Sequence, residues 1–272
     1  MSLKNLSVTK KIPKLLKNKL ENKRINQVYK RFEKSLNINQ NFIVAVSGGP
    51  DSLALCVLTK IYSIKKTLNV KYFLVNHKLR KDSSKEAKFV KNLLKKVSIK
   101  LNILSWNGKK PKSNIQSVAR VKRYSLLTKE AKKLKVKNIL LGHHKDDVYE
   151  NFIIRLIRGS GLNGMASFDI ISINQNVNLL RPLLDISKID LIHITNNVFK
   201  TYLEDPSNVD EKFQRSRIRN LIKYLEIEGL DKDKLNLTIK NLKFANESIK
   251  FFVSKNLKEN SIFLKKKKKI IL

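Results

Sequence analysis

The sequence has 272 residues, of which 42% are hydrophobic, so the chain can bury a substantial core, which argues against global disorder. The 58 lysine and arginine residues outnumber the 22 aspartate and glutamate residues and give a net charge of +36. This charge favours polyanionic partners such as nucleic acid, although scattered lysines also form ordinary solvated surfaces. Cys56 is the single cysteine, which excludes an internal disulfide, a cysteine-rich zinc site and a two-thiol sulfur relay. We expect no disulfide-linked partner.

Residues 1–40 are predicted to form one or two basic helices, an N-terminal extension ahead of the first strand. The first 20 residues lack the apolar stretch of a secretory signal. No apolar run in the chain reaches the roughly 18 residues of a transmembrane helix. We therefore expect a cytoplasmic protein without a membrane partner.

The stretch "FIVAVSGGPDSLALCVL" at residues 42–58 is the first that suggests chemistry. Phe42–Val46 is an apolar run typical of a buried parallel strand, and the apolar residues after Ser52 indicate a buried helix. A strand, a glycine turn and a helix N-terminus form an anion site, because free backbone N–H groups and the helix dipole converge there. A tight connection without a ligand is the alternative. The turn lacks both the Walker A lysine and the G-x-G-x-x-G spacing.

Strands and helices then alternate along the chain. Extended segments are predicted at "VKYFLVNH", "IKLNILSW", "NILLGHH" and "VNLLRPLLD". Helices are predicted at residues 83–97, at 113–134, from about 145 to 158, and at "SKIDLIHITNNVF". Two of these helices are expected to begin with a capping box, formed by Ser83 with Glu86 and by Ser113 with Gln116.

This alternation predicts an α/β fold, a doubly wound, mainly parallel sheet. Ligands bind beyond the carboxyl ends of such strands, which here carry polar clusters at Ser47–Ser52, Asn76–Arg80 and Gly142–Asp147. After about Asp210 the sequence indicates helices alone. The predicted organisation is a basic extension at residues 1–40, a catalytic domain at 41–210 and a small basic helical extension at 211–272. Its lysine run, 265–269, is either a solvated terminus or a phosphate-binding arm.

The segment "LGHHKDDVYENF" brings acids and histidines together at a strand end and a helix start. Asp147 and Glu150 are three residues apart and share one helix face, and His143 and His144 precede them. Acids at a helix N-terminus can simply stabilise the helix dipole. Adjacent histidines lack the H-E-x-x-H spacing of a zinc-binding helix. We interpret the group as a site for a cationic substrate, Mg²⁺ or a proton.

Arginine is scarce in this lysine-rich chain, and its planar guanidinium suits phosphate and carboxylate groups. Surface arginines are usually just solvated, which is the alternative at each position. The candidates for anion binding are Arg120 and Arg123, which share one face of the predicted long helix, and Arg155, Arg158, Arg181, Arg215, Arg217 and Arg219.

Together these motifs resemble a known family. "SGGPDS" is similar to the signature of the N-type ATP pyrophosphatases, the PP-loop enzymes. With "VNHKLRKDSSKEAKFV", "HHKDDVYENFIIRLIRGSGLNGM", "RPLL" and "DPSNVDEKFQRSRIR", residues from about Phe42 to Leu225 resemble the tRNA(Ile)-lysidine synthases. The resemblance implies an adenine nucleotide alpha hydrolase-like fold, with ATP and Mg²⁺ as cofactors. It also implies ligation of L-lysine to C2 of cytidine 34 in the CAU anticodon of tRNA(Ile), through an adenylated cytidine, with release of AMP and pyrophosphate.

The resemblance implies roles for individual residues. The catalytic residues are Asp51, Asp147 and Glu150. ATP binding is implied for Ser47, Gly48, Gly49, Pro50, Asp51, Ser52, Asn76 and His77, with Asp51 also as a Mg²⁺ ligand. Lysine binding is implied for Arg120, Arg123, Asp147 and Glu150, and tRNA binding for Arg155, Arg158, Arg215, Arg217 and Arg219. The sequence departs from the family pattern at Asn151 and Ser216, and the part after Leu225 is short for the family's C-terminal domains.

Two alternatives stay open. Another PP-loop tRNA-modifying enzyme is the first, although the thiolating types need several cysteines and this chain has one. A non-catalytic basic RNA-binding protein is the second. This alternative explains the positive charge. It does not explain the clustered acids Asp51, Asp147 and Glu150, because carboxylates repel RNA.

Overall fold

The computed structural model describes residues 12–108, 111, 113–205, 210–260, 262–264 and 269–271, the last two ranges by their backbone. The predictions for residues 1–11, for 206–209 and for most of the lysine run 265–269 lie outside the described residues. Within the described part of the chain, no helix is long and apolar enough to cross a membrane.

Six strands form the main sheet of the described chain. They are β1 (Phe42–Val46), β2 (Val70–Asn76), β3 (Leu101–Ser105), β4 (Asn138–Leu140), β5 (Ile171–Asn174) and β6 (Val177–Leu180). Their order is β3-β2-β1-β4-β6-β5, and all neighbours pair in parallel except β5 with β6. The predicted mainly parallel sheet is confirmed, and the antiparallel edge strand β5 is an addition that the sequence did not predict.

Helices fill the connections and the C-terminal region. They are α1 (Lys14–Leu20), α2 (Lys23–Leu36), α3 (Pro50–Lys65), α4 (Ser83–Lys95), α5 (Ile115–Lys133), α6 (Lys145–Ile157), α7 (Leu162–Met165), α8 (Lys188–Phe199), α9 (Gln214–Ile227) and α10 (Lys232–Asn260). Helix α2 buries the stripe Ile25, Val28, Phe32 and Leu36, whose three- and four-residue spacing matches one helix face. The predicted helices are confirmed to within a few residues at their ends.

Alternate residues of β1 pack into different hydrophobic clusters. Phe42 and Val44 belong to a cluster that includes buried residues of α1, α2, α3, α4 and α8. Ile43 belongs to a second cluster with Leu127 and Ala131 of α5. Because successive side chains of a strand point to opposite faces, helices cover both faces of the sheet. The doubly wound arrangement is therefore confirmed.

Both predicted capping boxes are wrong. Helix α4 is preceded by Asp82, and the Ser83 hydroxyl donates to the carbonyl of Arg80 at 2.9 Å instead of capping the helix. Glu86 accepts a hydrogen bond from the Arg80 guanidinium at 3.0 Å, so its carboxylate is held by the preceding turn. Helix α5 follows Asn114, whose φ of 50° lies in the left-handed region and whose side chain forms no capping hydrogen bond.

The chain divides into two compact units, and the division falls inside α6. The first unit comprises residues 1–147 and 170–206, with the main sheet and helices α1 to α5 and α8. The second comprises residues 148–169 and 207–272. The domain limits at residues 40 and 210 stay predictions.

In the first unit, helices α1 and α2 pack into the main core through Leu16, Ile25 and Phe32. Two arginines of α2 bind one carboxylate of α8, with Arg24 Nε 2.9 Å from Asp190 Oδ1 and Arg31 Nη2 3.1 Å from Asp190 Oδ2. Burial thus holds α1 and α2 against the core, and the ion pairs link α2 to α8.

In the second unit, α9 and α10 confirm the predicted helical C-terminal region. Lys243 of α10 donates to the carbonyl of Phe168 at 2.8 Å and lies 3.2 Å from a carboxylate oxygen of Asp169. Beyond α10, the short strands β7 (Ile262–Leu264) and β8 (Lys269–Ile271) pair antiparallel, which the sequence did not predict.

Candidate active site

The turn between β1 and α3 is organised by one hydroxyl group. Ser52 Oγ accepts hydrogen bonds from Ser47 N at 3.2 Å, Gly48 N at 3.0 Å and Ser47 Oγ at 3.1 Å. It donates to the carbonyl of Gly49 at 3.0 Å. Because Ser52 binds both ends of the turn, its side chain fixes the shape of the loop.

Gly48 is required by the shape of this turn. Its φ is +94°, and a Cβ at this position would lie 2.6 Å from Val90 Cγ2 and 2.8 Å from Leu203 Cδ1. Leu203 N donates to the Gly48 carbonyl at 3.0 Å. The turn is therefore packed against α4 on one side and the segment after α8 on the other, and no side chain larger than hydrogen fits.

The turn leads into the N-terminus of α3. Gly49 precedes the helix, Pro50 is its first residue, and the Thr195 hydroxyl donates to the Pro50 carbonyl at 2.8 Å. The amides of a helix's first turn have no partner within the helix, and the dipole is positive at this end. Gly142 closes the site from β4, since a Cβ there would come within 3.3 Å of Ser52 N and Cα. These features form the predicted anion-binding geometry.

His144 lies among three carboxylates of the first unit. Its Nε2 is 3.6 Å from Asp51 Oδ2 and 3.6 Å from Asp147 Oδ2, and its Nδ1 is 3.5 Å from Asp146 Oδ2. Burial disfavours the imidazolium, but hydrogen bonding to Asp146 and Asp51 and the charge of Asp147 outweigh it and raise the pKa of His144 to about 10. At neutral pH, His144 is a buried cation that joins Asp51 to Asp147.

The two predicted catalytic acids of the first unit are held differently. Asp147 is 6% exposed, and its Oδ2 accepts a hydrogen bond from the His144 backbone N–H at 3.0 Å. Asp51 has one buried oxygen, Oδ1, with no hydrogen-bond partner. No group of three or more His, Cys, Asp or Glu side chains within the described residues is arranged around a metal. Asp51 Oδ1 fits a Mg²⁺ ion bound mainly by ligand oxygens, which needs only one or two protein carboxylates.

Asn76 and His77, at the end of β2, differ in whether their side chains have hydrogen-bond partners. Asn76 is buried, donates to Ser84 Oγ at 3.1 Å and accepts from Lys78 N at 2.9 Å, so its amide is used within the protein. Both ring nitrogens of His77 are buried and have no hydrogen-bond partner. Burial and the charge of Arg123 lower the pKa of His77 to about 4. His77 is therefore uncharged at neutral pH.

The two arginines predicted to bind lysine both project from α5 with exposed side chains. The Arg120 guanidinium lies over the Tyr124 ring, 5.3 Å from its centroid. Arg123 acts on His77 through its charge. Arg123 is thus associated with the β2 end of the edge, next to residues predicted to bind ATP.

In the second unit, Glu150 is buried against an arginine. Its side chain is 3% exposed, and Arg219 Nε donates to Glu150 Oε1 at 2.6 Å. Asn151, one of the departures from the family pattern, accepts from Arg155 Nε at 2.7 Å. Two residues predicted as catalytic and tRNA-binding, Glu150 and Arg219, therefore form one ion pair.

The arginine trio of α9 does not form one face. At 3.6 residues per turn, Arg215 and Arg219 lie about 40° apart around the helix, whereas Arg217 lies on a different side. Arg217 Nη1 donates to the carbonyls of Glu211 at 2.7 Å and Lys212 at 3.1 Å. Arg158 donates to Gln214 Oε1 at 3.0 Å. Several of the arginines predicted to bind tRNA are thus also used within their own unit.

Three features of the site were not assigned a role from the sequence. They are the bridging position of His144, the close approach of Gly142 to α3 and the position of Trp106 after β3, next to the ring of His77. The adjacent histidines after a strand were a signal for the first. The other two depend on which strands are neighbours, which the sequence does not state.

The chain is similar to known proteins over most of its length. The sequence profile of the PP-loop domain matches residues 17–225. The chain is 37% identical over 205 residues to the tRNA(Ile)-lysidine synthase of Orientia tsutsugamushi, which covers 75% of this chain and 45% of that protein. It is 39% identical over 191 residues to the tRNA(Ile)-lysidine synthase of Rhodopseudomonas palustris, which covers 70% and 55%. The chain spans about half the length of the curated relatives it matches.

The fold also resembles a solved structure. The U34-tRNA thiolase NcsA from Methanococcus maripaludis matches with a TM-score of 0.66 and 18% identity, over 83% of this chain and 78% of that one. At this identity the similarity concerns the fold alone. Because the PP-loop profile covers most of the chain, including the turn at Ser47–Ser52, this protein belongs to the PP-loop family.

Proposed function

We propose that this protein uses ATP to attach L-lysine to C2 of cytidine 34 in the CAU anticodon of tRNA(Ile), releasing AMP and pyrophosphate. One observation carries the proposal: in the first unit, the anion-binding turn is joined through His144 to the buried carboxylate of Asp147. An anion site beside a buried acid suits a reaction between a nucleotide and an amine. The relatives named tRNA(Ile)-lysidine synthase support the same activity.

The first step activates the cytosine. Its C2 oxygen attacks the α-phosphorus of ATP, the bond from that phosphorus to the pyrophosphate oxygen breaks, and an O-adenylated cytidine forms. The Ser47–Ser52 turn and the N-terminus of α3 hold the phosphates and then the pyrophosphate, with Ser52 as a positioning residue. Mg²⁺ at Asp51 would neutralise charge on the phosphate oxygens.

The second step forms the carbon–nitrogen bond. The lysine ε-amine has a pKa near ~10.4 in water, so it arrives mostly as an ammonium ion. Asp147 binds this ammonium ion and takes a proton as the amine attacks C2, while the C2–O bond breaks and AMP leaves. His144 is a positioning residue that holds Asp51 and Asp147 in their relative places.

Glu150 and the arginines have supporting roles in the proposal. Glu150 follows Asp147 by one turn of α6 and contributes to lysine binding, with its orientation fixed by Arg219. Arg120 and Arg123 hold the amino acid's carboxylate or the ATP phosphates. Arg155, Arg158, Arg215 and Arg217 contact the tRNA backbone, so tRNA binding weakens steeply with salt. We propose that the protein acts on tRNA in the cytoplasm.

Lysine transfer to RNA tests the proposal directly. The purified protein is incubated with ATP, labelled lysine and a transcript of tRNA(Ile) that has a CAU anticodon. We expect label in the RNA and one AMP and one pyrophosphate for each lysine attached. The control transcript differs only in a uridine at position 34 and should stay unlabelled.

Other outcomes identify the alternatives. Release of ADP and phosphate contradicts the proposed cleavage of ATP. Tight tRNA binding without AMP release or label would instead favour the non-catalytic RNA-binding protein. Thiolation is disfavoured because Cys56, the single cysteine, is buried in α3 and burial raises its pKa, which makes it unreactive.

A further inference from the structure

A short segment after α8 lies against the anion-binding turn of the first unit. Helix α8 ends at Phe199, and Lys200 adopts a left-handed φ of 62°, which turns the chain away from the helix axis. We call the residues that follow, Tyr202–Asp205, the strap. The side chains of Tyr202 and Leu203 pack against the hydrophobic cluster of α3, α4 and α8, so burial holds the start of the strap on this unit.

The strap determines the orientation of one peptide of the turn. Leu203 N donates to the Gly48 carbonyl at 3.0 Å, and Leu203 Cδ1 lies 2.8 Å from where a Cβ of Gly48 would be. In a trans peptide the carbonyl oxygen and the following N–H point in opposite directions. Because the Gly48 carbonyl points to Leu203, the Gly49 N–H points away from the strap.

Gly49 is the residue of this turn whose amide suits a ligand. Ser47 N and Gly48 N both donate to Ser52 Oγ, at 3.2 Å and 3.0 Å, so their N–H groups are used within the turn. Pro50 has no N–H to offer. Amides at the N-terminus of a helix bind phosphate oxygens, and the Gly49 N–H lies directly before α3.

Arg80 anchors the far end of the strap. Its Nη1 donates to Asp205 Oδ1 at 3.2 Å, and its Nη2 donates to Glu86 Oε2 at 3.0 Å. The Arg80 carbonyl accepts a hydrogen bond from Ser83 Oγ at 2.9 Å, so the backbone that carries the guanidinium is itself fixed. A planar guanidinium binds two carboxylates in a defined geometry. Arg80 thereby joins the end of the strap to the first turn of α4.

We propose that the strap positions the Gly49 N–H for a phosphate oxygen and that Arg80 holds the strap in place through Asp205. This inference rests on the proposed function, because it places pyrophosphate in the turn. Arg80, Leu203 and Asp205 are positioning residues, since they act through Gly49 and need no contact with the ligand. Both side chains of the ion pair are about half exposed, so its effect on affinity is modest.

The affinity of the full-length protein for pyrophosphate with Mg²⁺, measured by calorimetry, tests the ion pair. Asp205→Asn should weaken binding about threefold, the size of effect that a half-exposed ion pair allows. The sign decides, because the substitution removes a negative charge and frees Arg123 from its attraction, and both changes alone would strengthen anion binding. Unchanged or tighter binding overturns the proposal. Asp82→Asn is the matched control: it removes an exposed carboxylate 3.4 Å from Lys85 and should leave the affinity unchanged.

A double-mutant cycle separates positioning from direct contact with the ligand. Arg80→Gln should weaken pyrophosphate binding about as much as Asp205→Asn does. The double variant should be no weaker than either single variant, because all three lose the same ion pair. If Arg80 binds phosphate directly, Arg80→Gln loses more affinity and the two losses multiply, which refutes the proposal. Urea midpoints close to that of the wild type should show that the fold is retained, since the pair is exposed.

The Gly49 amide provides a separate signal. Labelling with ¹⁵N-glycine gives one backbone amide resonance for each of the eight glycines. Gly49→Ala identifies the resonance of Gly49, because a Cβ there would meet nothing closer than 3.9 Å. This resonance should shift when pyrophosphate is added, and in Asp205→Asn it should already differ before the addition. A Gly49 resonance that stays unchanged when calorimetry shows pyrophosphate bound overturns the proposal.

Neither measurement needs lysine or tRNA, so the strap and the proposed function can fail separately. Weaker pyrophosphate binding by Asp205→Asn supports the strap even if the wild type does not transfer lysine, a result that would refute the proposed function alone. Normal lysine transfer by the wild type, together with unchanged pyrophosphate affinity in Asp205→Asn, would refute the strap and leave the proposed function intact.

Discussion

The carboxyl edge of the sheet and helix α9 both concentrate charge, but they hold it in different ways. At the sheet edge, Asp51 and Asp147 share His144, a buried imidazolium whose Nε2 lies 3.6 Å from an oxygen of each carboxylate. In the second unit, Glu150 is bound by Arg219 at 2.6 Å, and a guanidinium stays charged at any physiological pH. In the first arrangement one cation lies 3.6 Å from each of two acids, whereas in the second a guanidinium nitrogen lies 2.6 Å from one carboxylate oxygen.

This difference implies unequal roles for two acids of one helix. A proton acceptor must change its own charge during the reaction, and a carboxylate bound tightly to arginine resists protonation. Asp147 therefore suits proton transfer better than Glu150 does. Glu150 suits the positioning of α9, because its buried carboxylate holds Arg219 in place.

If the sheet edge is the reactive region, Asp147→Asn should have the largest effect. The substitution keeps size and removes charge, so lysine transfer should fall by roughly 10²- to 10⁴-fold, the usual contribution of a general base. Adenylation of cytidine needs no lysine, so pyrophosphate release should persist. The two rates are measured on the same sample, with labelled lysine and with a pyrophosphate assay.

The matched variant is Glu150→Gln, which makes the same chemical change one helical turn away. We expect a smaller loss of transfer than for Asp147→Asn. Raising the pH should partly restore transfer by Asp147→Asn if Asp147 is the base, because more lysine is then unprotonated. Full transfer by both variants at neutral pH would contradict any role of this helix in lysine chemistry.

Gly48→Ala tests whether the anion-binding turn tolerates a side chain at position 48. Alanine at φ +94° is strained and its Cβ would meet Val90 Cγ2 at 2.6 Å, so the free energy of unfolding should fall by roughly 2 kcal/mol. Gly49→Ala is the matched control, because its φ is −72° and its nearest contacts would be 3.9 Å away. Urea denaturation measures both. Equal losses for the two variants would show that the turn has more room than the structure indicates.

Arg219→Ala tests whether the second unit uses its arginine as a structural link. The substitution removes the ion-pair partner of the Glu150 carboxylate, which is 3% exposed, whereas Arg219 is 28% exposed. We therefore expect the free energy of unfolding to fall by roughly 2 kcal/mol. Arg217→Ala should cost less than about 1 kcal/mol, because Arg217 is exposed and donates to backbone carbonyls. The melting temperatures of the two variants are compared. A larger drop for Arg217→Ala would reverse the assignment.

The sequence predicted the sheet edge because local patterns determine most of it. The apolar run Phe42–Val46, the turn after it and the buried helix follow one another directly, and parallel strands bring their carboxyl ends to one side. The sequence did not predict β5. Its four residues are short for a strand, and its turn to β6 uses Gln175 and Asn176, with φ of 48° and 66°, in place of the usual Asn-Gly.

Long-range pairs were beyond the reach of sequence patterns. Arg219 and Glu150 are separated by 69 residues, and the motifs assigned them to different partners. His144 meets Asp51 because β4 pairs with β1, a neighbour relation that alternation of strands and helices leaves open. Pairings of this kind depend on tertiary packing, so a motif identifies the residues of a site more readily than their contacts.

The smallest effect is expected for Asp190→Asn, which removes the ion pairs between α2 and α8 in the first unit. Burial alone would raise the pKa of Asp190, but Arg24, Ser187 and Arg31 lower it below its usual value. A depressed carboxyl pKa stabilises the fold above the unfolded pKa of about 4, and this contribution disappears as the pH falls through the folded pKa.

Because Arg24 and Arg31 are 46% and 50% exposed, solvent screens the ion pairs of Asp190 and limits the loss of unfolding free energy at pH 7 to roughly 0.5–1 kcal/mol. Urea denaturation at pH 7 and at pH 3 should show the variant less stable than the wild type at the first pH, with a smaller difference at the second. Asp185→Asn, which removes an exposed carboxylate just before α8, should change little at either pH. A deficit of the Asp190 variant that is the same at both pH values would mean that the carboxylate's charge does not hold α2 to α8.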